Sequence, residues 1–218
     1  MPNQSGNAYG LTVLSPLKEI DGSGQAVIPK LRNLIQSFNE LDTTPMAKVP
    51  NTYLSRLWIL EDVFFENYPH ELEHLKSKYL VFTSNFHGEL DTYLEGMFNA
   101  IPTEVQSIWQ DCYGFDDKAL SPEGFKSYIK KCQVETTFYF NGSTDDSLQD
   151  QLKSLYIKQE FSRFVFDNAH KSSEELLTAF KAFIAETQPT ADFPRWKPGE
   201  SDLSDIIDRG NNDHLSTN

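Results

Sequence analysis

The stretch Leu80-Val-Phe-Thr-Ser-Asn-Phe-His-Gly-Glu-Leu-Asp-Thr-Tyr-Leu94 decides how this chain is read. Tyr79 to Thr83 is β-branched and aromatic, which predicts a buried strand. From Phe86 the period changes. Phe86, Leu90, Tyr93, Leu94, Met97, Phe98 and Ile101 recur at helical intervals and fall on one face of a helix. Around the turn stand Ser84, Asn85, His87 and Asp91, the densest set of polar groups able to do chemistry. Polar residues in such a turn either line a pocket at the end of a sheet or satisfy the free amides of the helix start. His87 and Asp91 are the candidate catalytic pair, with His87 as a general base. Asn85 is a candidate ligand contact.

Upstream, Leu11 to Leu17 reads as a short strand and Asp21-Gly-Ser-Gly24 as a turn. A helix follows from about Gln25 to Leu41, with Val27, Leu31, Leu34, Ile35 and Phe38 on its apolar stripe. Asn51 to Glu61 is a strand with two largely apolar faces, so one face should meet helices and the other a further layer. Arg56 sits inside it, where a charge needs a partner, and becomes a candidate ligand contact. Trp58, Tyr79 and Trp109 are candidates to line an apolar pocket between sheet and helices.

Downstream, Pro102 kinks the long helix or opens a new one, and Ser121-Pro-Glu starts a short helix. Gln133-Val-Glu-Thr-Thr-Phe-Tyr-Phe140 alternates and reads as a fourth strand, closed by Asn141-Gly142. Asp145 to about Phe166 is helical in pattern, and Ser172-Ser-Glu-Glu175 forms a capping box for a last helix. The expected organisation is a loose tail over residues 1–9, an α+β domain over 10–142, a helical extension over 143–187, and a mobile or partner-wrapping tail over 188–218.

Composition bounds the partners. The 218 residues carry a net charge of −13, which argues against nucleic acid or an anionic membrane as partner. Sixteen Phe and nine Tyr supply enough apolar area for a packed core. No apolar run is long enough to span a bilayer, and Met1-Pro-Asn-Gln-Ser-Gly-Asn7 has no signal-peptide pattern. A cytoplasmic protein with Cys112 and Cys132 as free thiols is expected. His70-Glu-Leu-Glu-His74 fits the zinc-hydrolase pattern, in which two histidines hold the metal and Glu71 activates water. It follows Pro69 in a connection between strands rather than lying on a long helix, so His70 and His74 are remote metal candidates. The phosphate-loop, dinucleotide and nucleophile-elbow motifs are absent.

The order β-α-β-β-α-β over residues 10–142 gives the ferredoxin-like pattern, an antiparallel sheet with helices on one face, followed here by C-terminal helices. In that order, and in Leu11-Thr-Val-Leu-Ser-Pro16 and Phe82 to Leu94, the chain resembles an uncharacterised bacterial family of the dimeric α+β barrel superfamily. The superfamily includes antibiotic-biosynthesis-type monooxygenases, chlorite dismutases and dye-decolourising peroxidases. The Gly-x-x-Asp-Gly motif of the peroxidases is absent. The resemblance implies a homodimer and an oxidoreductase in which His87 ligates haem. Two readings follow: a domain binding an apolar small molecule, with haem-dependent or monooxygenase-like chemistry, or a non-catalytic dimeric module whose sheet faces pair.

Overall fold

The computed structural model describes residues 3–63, 74–143 and 145–187. The chain falls into two units, Met1–Leu148 and Gln149–Asn218. The expected tail from Gln188 lies outside the described residues.

The first unit is α+β, built on a four-stranded antiparallel sheet. Strands β1 (Gln4–Ser5) and β2 (Ala8–Pro16) form a hairpin through Gly6-Asn7. Gly6 has φ +61°, as the first central residue of a type II′ turn requires. Residues expected as a loose tail therefore begin the sheet. Strand β4 (Tyr79–His87) pairs with β2 on one side and with β3 (Thr52–Leu60) on the other, giving the order β1-β2-β4-β3.

That order differs from the ferredoxin-like one, because the expected fourth strand over 133–140 does not form. Only Gln133 makes a bridge, to Val13, and the Val134 N–H donates to the Thr12 carbonyl at 2.8 Å. One edge of β2 is occupied by β4 along its whole length. The other is taken near Tyr9 by β1, which leaves no ladder for Thr136–Phe140 to join. Asn3 Oδ1 instead accepts from the Thr136 amide at 2.8 Å and from its hydroxyl at 2.7 Å. Phe138 and Phe140 end up largely exposed.

Helices α1 (Val27–Ser37), α2 (Leu90–Ala100), α3 (Pro102–Trp109) and α4 (Pro122–Cys132) contribute to one apolar core with the sheet. Pro102 opens α3 as a new helix, and Ser121 caps α4 by accepting from the Gly124 amide at 3.1 Å. From the strands the core takes Tyr9, Leu11 and Val13 of β2, and Leu80, Phe82 and Phe86 of β4. Trp109 packs edge-on against Phe82 and Phe125, with centroids at 5.6 and 5.4 Å. Burying each such side chain is worth about 1.5–3 kcal/mol, which fixes the face of each strand.

Ions tie α4 to α2. Lys126, buried, reaches Glu123 at 2.5 Å and Glu95 at 3.3 Å, and Lys130 pairs with Asp91.

The second unit holds α5 (Leu148–Asn168) and α6 (Ser173–Thr187). The expected capping box forms: the Ser172 amide and hydroxyl meet Glu175 Oε2 at 3.0 and 2.7 Å. Phe161, Phe164, Phe180 and Phe183 interlock, with centroids 5.1–6.3 Å apart. Among the described residues no helix is long and apolar enough to cross a membrane.

Candidate functional site

The polar group around His87 is divided by the pleat of β4. The strand runs on to His87, and Gly88, at φ +101°, makes the turn into α2. Successive side chains therefore point to opposite faces. Ser84 and Phe86 face the helices, where Ser84 Oγ and the Tyr93 hydroxyl are 2.7 Å apart and Phe86 stacks on Tyr93. Asn85 and His87 share the other face. So the helical stripe starts at Leu90, and Phe86 belongs to the strand. Nor do these polar residues cap α2, whose N-cap Glu89 makes no side-chain bond.

On that second face the register assembles most of the expected contacts. Arg56 lies opposite Thr83, which lies opposite Thr12; Trp58, Val81 and Leu14 form the next row. Leu54, Asn85 and Gly10 form another, and Tyr79 lies at the far end beside Leu60. Tyr139 lies over Gly10 so closely that a Cβ there would come within 2.6 Å of its ring. The β3 side is open: Leu54 and Trp58 are 46% and 42% exposed, and Arg56 is exposed with no carboxylate partner among the described residues.

Two candidates lie elsewhere. Trp109 is sealed in the core at 1% exposure. Asp91 stands in the first turn of α2, paired with Lys130 rather than set as a partner for His87. The space between the sheet and helices, where the sequence suggested a ligand, holds Phe82, Trp109 and Phe125, all essentially unexposed. His87 is half-buried beside the Tyr53 ring, centroids 6.4 Å apart. Its Nε2 is closed off from solvent and has no hydrogen-bond partner among the described residues. A haem iron would need open space at that nitrogen, so the folded arrangement does not fit haem there.

Of the H-E-x-x-H pattern, His70 and Glu71 lie outside the described residues. His74 Nδ1 is 2.6 Å from Asp62 Oδ2. Asp62 also accepts from the Leu75 and Val63 amides, and these bonds, the Leu75 one foremost, hold its carboxyl down at about 2. Among the described residues no three His, Cys, Asp or Glu side chains gather to hold a metal.

A cleft of about 560 Å³ opens at the end of the sheet where β2 finishes and β4 begins. Leu17, Ile28, Pro29, Leu75 and Tyr113 supply its apolar wall. Among the described residues, Lys18, Arg32, Lys76 and Lys78 enter it against Glu19 and Glu61. The antiparallel register makes this cluster: the Leu17 amide donates to the Lys78 carbonyl at 2.8 Å, and Lys78 stands 3.9 Å from Glu61, the residue after β3. Glu61 also pairs with Arg32, and Lys18 donates to the Gln110 carbonyl at 3.2 Å. Lys76 has no carboxylate partner among the described residues. Next to Pro29 in sequence, the Lys30 ammonium bridges Asp21 at 2.9 Å and Asp111 at 2.8 Å. The sequence offered one signal, basic residues flanking two strands at Leu17-Lys18 and Lys76-Ser-Lys78.

The chain matches no family model, no curated protein and no solved structure.

Proposed function

We propose that the protein binds a small molecule with an anionic head and an apolar body in the cleft at the end of the sheet. One observation carries the reading: in a chain of net charge −13, the described residues gather four cations against two carboxylates in one concavity. Its volume lies in the range of small-molecule sites, which pair an apolar wall with a few convergent polar groups. Lys76 and Lys78 would meet the anionic head, while Tyr113, Ile28 and Leu75 would cover the body. This retains the small-molecule reading of the sequence but moves the ligand from beneath the sheet to its end.

The test is calorimetric titration with octanoate, phenyl phosphate, inorganic phosphate and neutral octanol. Octanoate or phenyl phosphate should bind more tightly than phosphate or octanol, and less tightly as salt rises. Lys76→Glu should weaken that binding about twofold to thirtyfold, the loss of one or two partly exposed ion pairs at about 0.5–1 kcal/mol each. Binding that ignores Lys76→Glu, or none by either amphiphile at millimolar concentration, would refute the reading.

A further inference from the structure

The two edges of the sheet are finished in opposite ways. The β2 edge is closed by the two-residue β1, by Asn3 and by the Gln133 bridge. At the other end β3 is nine residues long, and among the described residues no backbone group pairs with its outer side. Exposed edges are normally guarded by charged side chains, above all Lys, by Pro, by bulges or by brevity, and the one charge of β3 is Arg56. Thr52-Tyr-Leu-Ser-Arg-Leu-Trp-Ile-Leu60 has no Lys and no Pro, and its one irregularity lies at the start, between Thr52 and Leu54. Its open-face side chains include Leu54, Arg56 and Trp58, which are exposed, and Leu60, which is half-buried. An unpaired strand edge specifies its occupant's chemistry, since the free donors and acceptors fit another extended chain.

The sequence of β3 selects which chain. In an isologous antiparallel pair the two-fold axis passes through one residue, which then faces its own copy. An axis at Arg56 would oppose two guanidinium groups, which is unfavourable. An axis at Leu57 sets Arg56 opposite Trp58 of the second copy, twice over, a cation-over-aromatic pairing. The same axis sets Leu54 opposite Leu60 of the second copy. We propose that β3 pairs with β3 of a second copy about a two-fold axis at Leu57, joining two sheets into one of eight strands. The guanidinium, without a carboxylate among the described residues, then gains an aromatic partner, and the exposed leucine and tryptophan are covered. The proposal goes beyond ligand binding in the cleft and does not depend on it.

Overlap of one strand is a small interface, so the dimer should be reversible, with a dissociation constant on the order of micromolar. Each copy is acidic, so salt should strengthen association by screening their repulsion. The test is sedimentation equilibrium of the full chain from about 1 to 200 micromolar. Trp58→Lys opposes two cations and should weaken the dimer at least tenfold. The double variant Arg56→Glu/Trp58→Lys opposes carboxylate and ammonium in the same places and should restore it. Circular dichroism checks that each variant folds. Leu57→Cys in a Cys132→Ser background gives a second reading that adds no charge. Axis residues have Cα atoms about 4.5–5.5 Å apart, within disulfide range, so oxidation should cross-link the chain at this position and not from Leu54→Cys. A protein monomeric throughout the range overturns the proposal. So does a dimer indifferent to Trp58→Lys, failure of the double variant to restore it, or a Leu57→Cys chain that does not cross-link.

Discussion

The hydroxyl of Ser84 lies in the stretch richest in chemistry-bearing residues, yet the structure gives it a partner in the core. Ser84 is 1% exposed, and its Oγ is 2.7 Å from the Tyr93 hydroxyl, which in turn is 3.3 Å from Thr52 Oγ1. Tyr93→Phe removes the shared hydroxyl and strands Ser84 Oγ where water does not reach. Thr52 keeps its bond to the Val49 carbonyl, so one orphan is left. An unsatisfied buried hydroxyl costs about 1–3 kcal/mol. Ser84→Ala leaves Tyr93 its contact with Thr52 and should cost about 1 kcal/mol, the net worth of one hydrogen bond. The double variant has no stranded group between these positions, so its cost should fall short of the sum by about 1 kcal/mol. Urea unfolding followed by tryptophan emission measures this cycle. Trp109, sealed against Phe82 and Phe125, reports the relevant unit, and each kcal/mol also moves the melting temperature by about 2–4 °C. Costs that add to within about 0.3 kcal/mol would refute the pairing and return Ser84 to the list of free, reactive groups.

Glycine to alanine ordinarily stabilises a helix by about 1 kcal/mol, but Gly124→Ala in α4 should have the opposite sign. A Cβ there would lie 1.6 Å from the Lys118 carbonyl oxygen, a collision with backbone, so a loss above about 3 kcal/mol is expected in a thermal melt. Burial pushes the Cys112 thiol up to about 12. Between about pH 9 and 12 the unfolded chain releases that proton and the native chain keeps it, so stability is unaffected below pH 9 and falls above it. By pH 10 the loss should be about 1 kcal/mol, and Cys112→Ala should remove that part of the slope in urea midpoints taken from pH 7 to 10. Native Cys112 should also resist alkylation at pH 8, while the half-buried Cys132 reacts; mass mapping of the labelled peptide decides this.

Local pattern gave most elements correctly. The Val27, Leu31, Leu34 and Ile35 stripe became α1, and the patterns of Thr52–Leu60 and Tyr79 onward became the edge strand β3 and the central strand β4. The fourth strand failed for a nonlocal reason. Val134, Thr136, Phe138 and Phe140 alternate well, but strand pattern does not say which sheet edge is free. The competing signal was short: Ser-Gly-Asn-Ala, a two-residue hairpin loop at positions 5–8. None of the residues singled out from the sequence lines the cleft, although most of them do meet on one face of the sheet. Arg56, Trp58, Asn85, His87 and Tyr79 share one face because β4 continues to His87 and the register with β3 aligns them. Asp91 and Trp109 could not be separated from them by sequence, since that needs the direction in which each helix packs. The cleft was hidden for the same reason. Lys18, Glu61 and Lys78 are far apart along the chain and meet only through two strand pairings.

Both proposed surfaces touch β3, so a variant there must be read for each. Glu61 continues the strand directly and holds Arg32 and Lys78 at the wall of the cleft. Trp58 projects from the open face, whereas the cleft opens at the strand end against α1. Changing Trp58 therefore disturbs pairing and leaves Lys18, Lys76 and Lys78 where they are. Lys76, without a carboxylate partner among the described residues, belongs to the cleft and lies off the β3 ladder. Trp58→Lys should lower association while leaving octanoate affinity intact, and Lys76→Glu should do the reverse. Loss of both properties in either variant would mean that β3 transmits strain between edge and cleft. Two independent losses would make the acidic chain a carrier of two separate surfaces, one charged for a ligand and one left open for a strand.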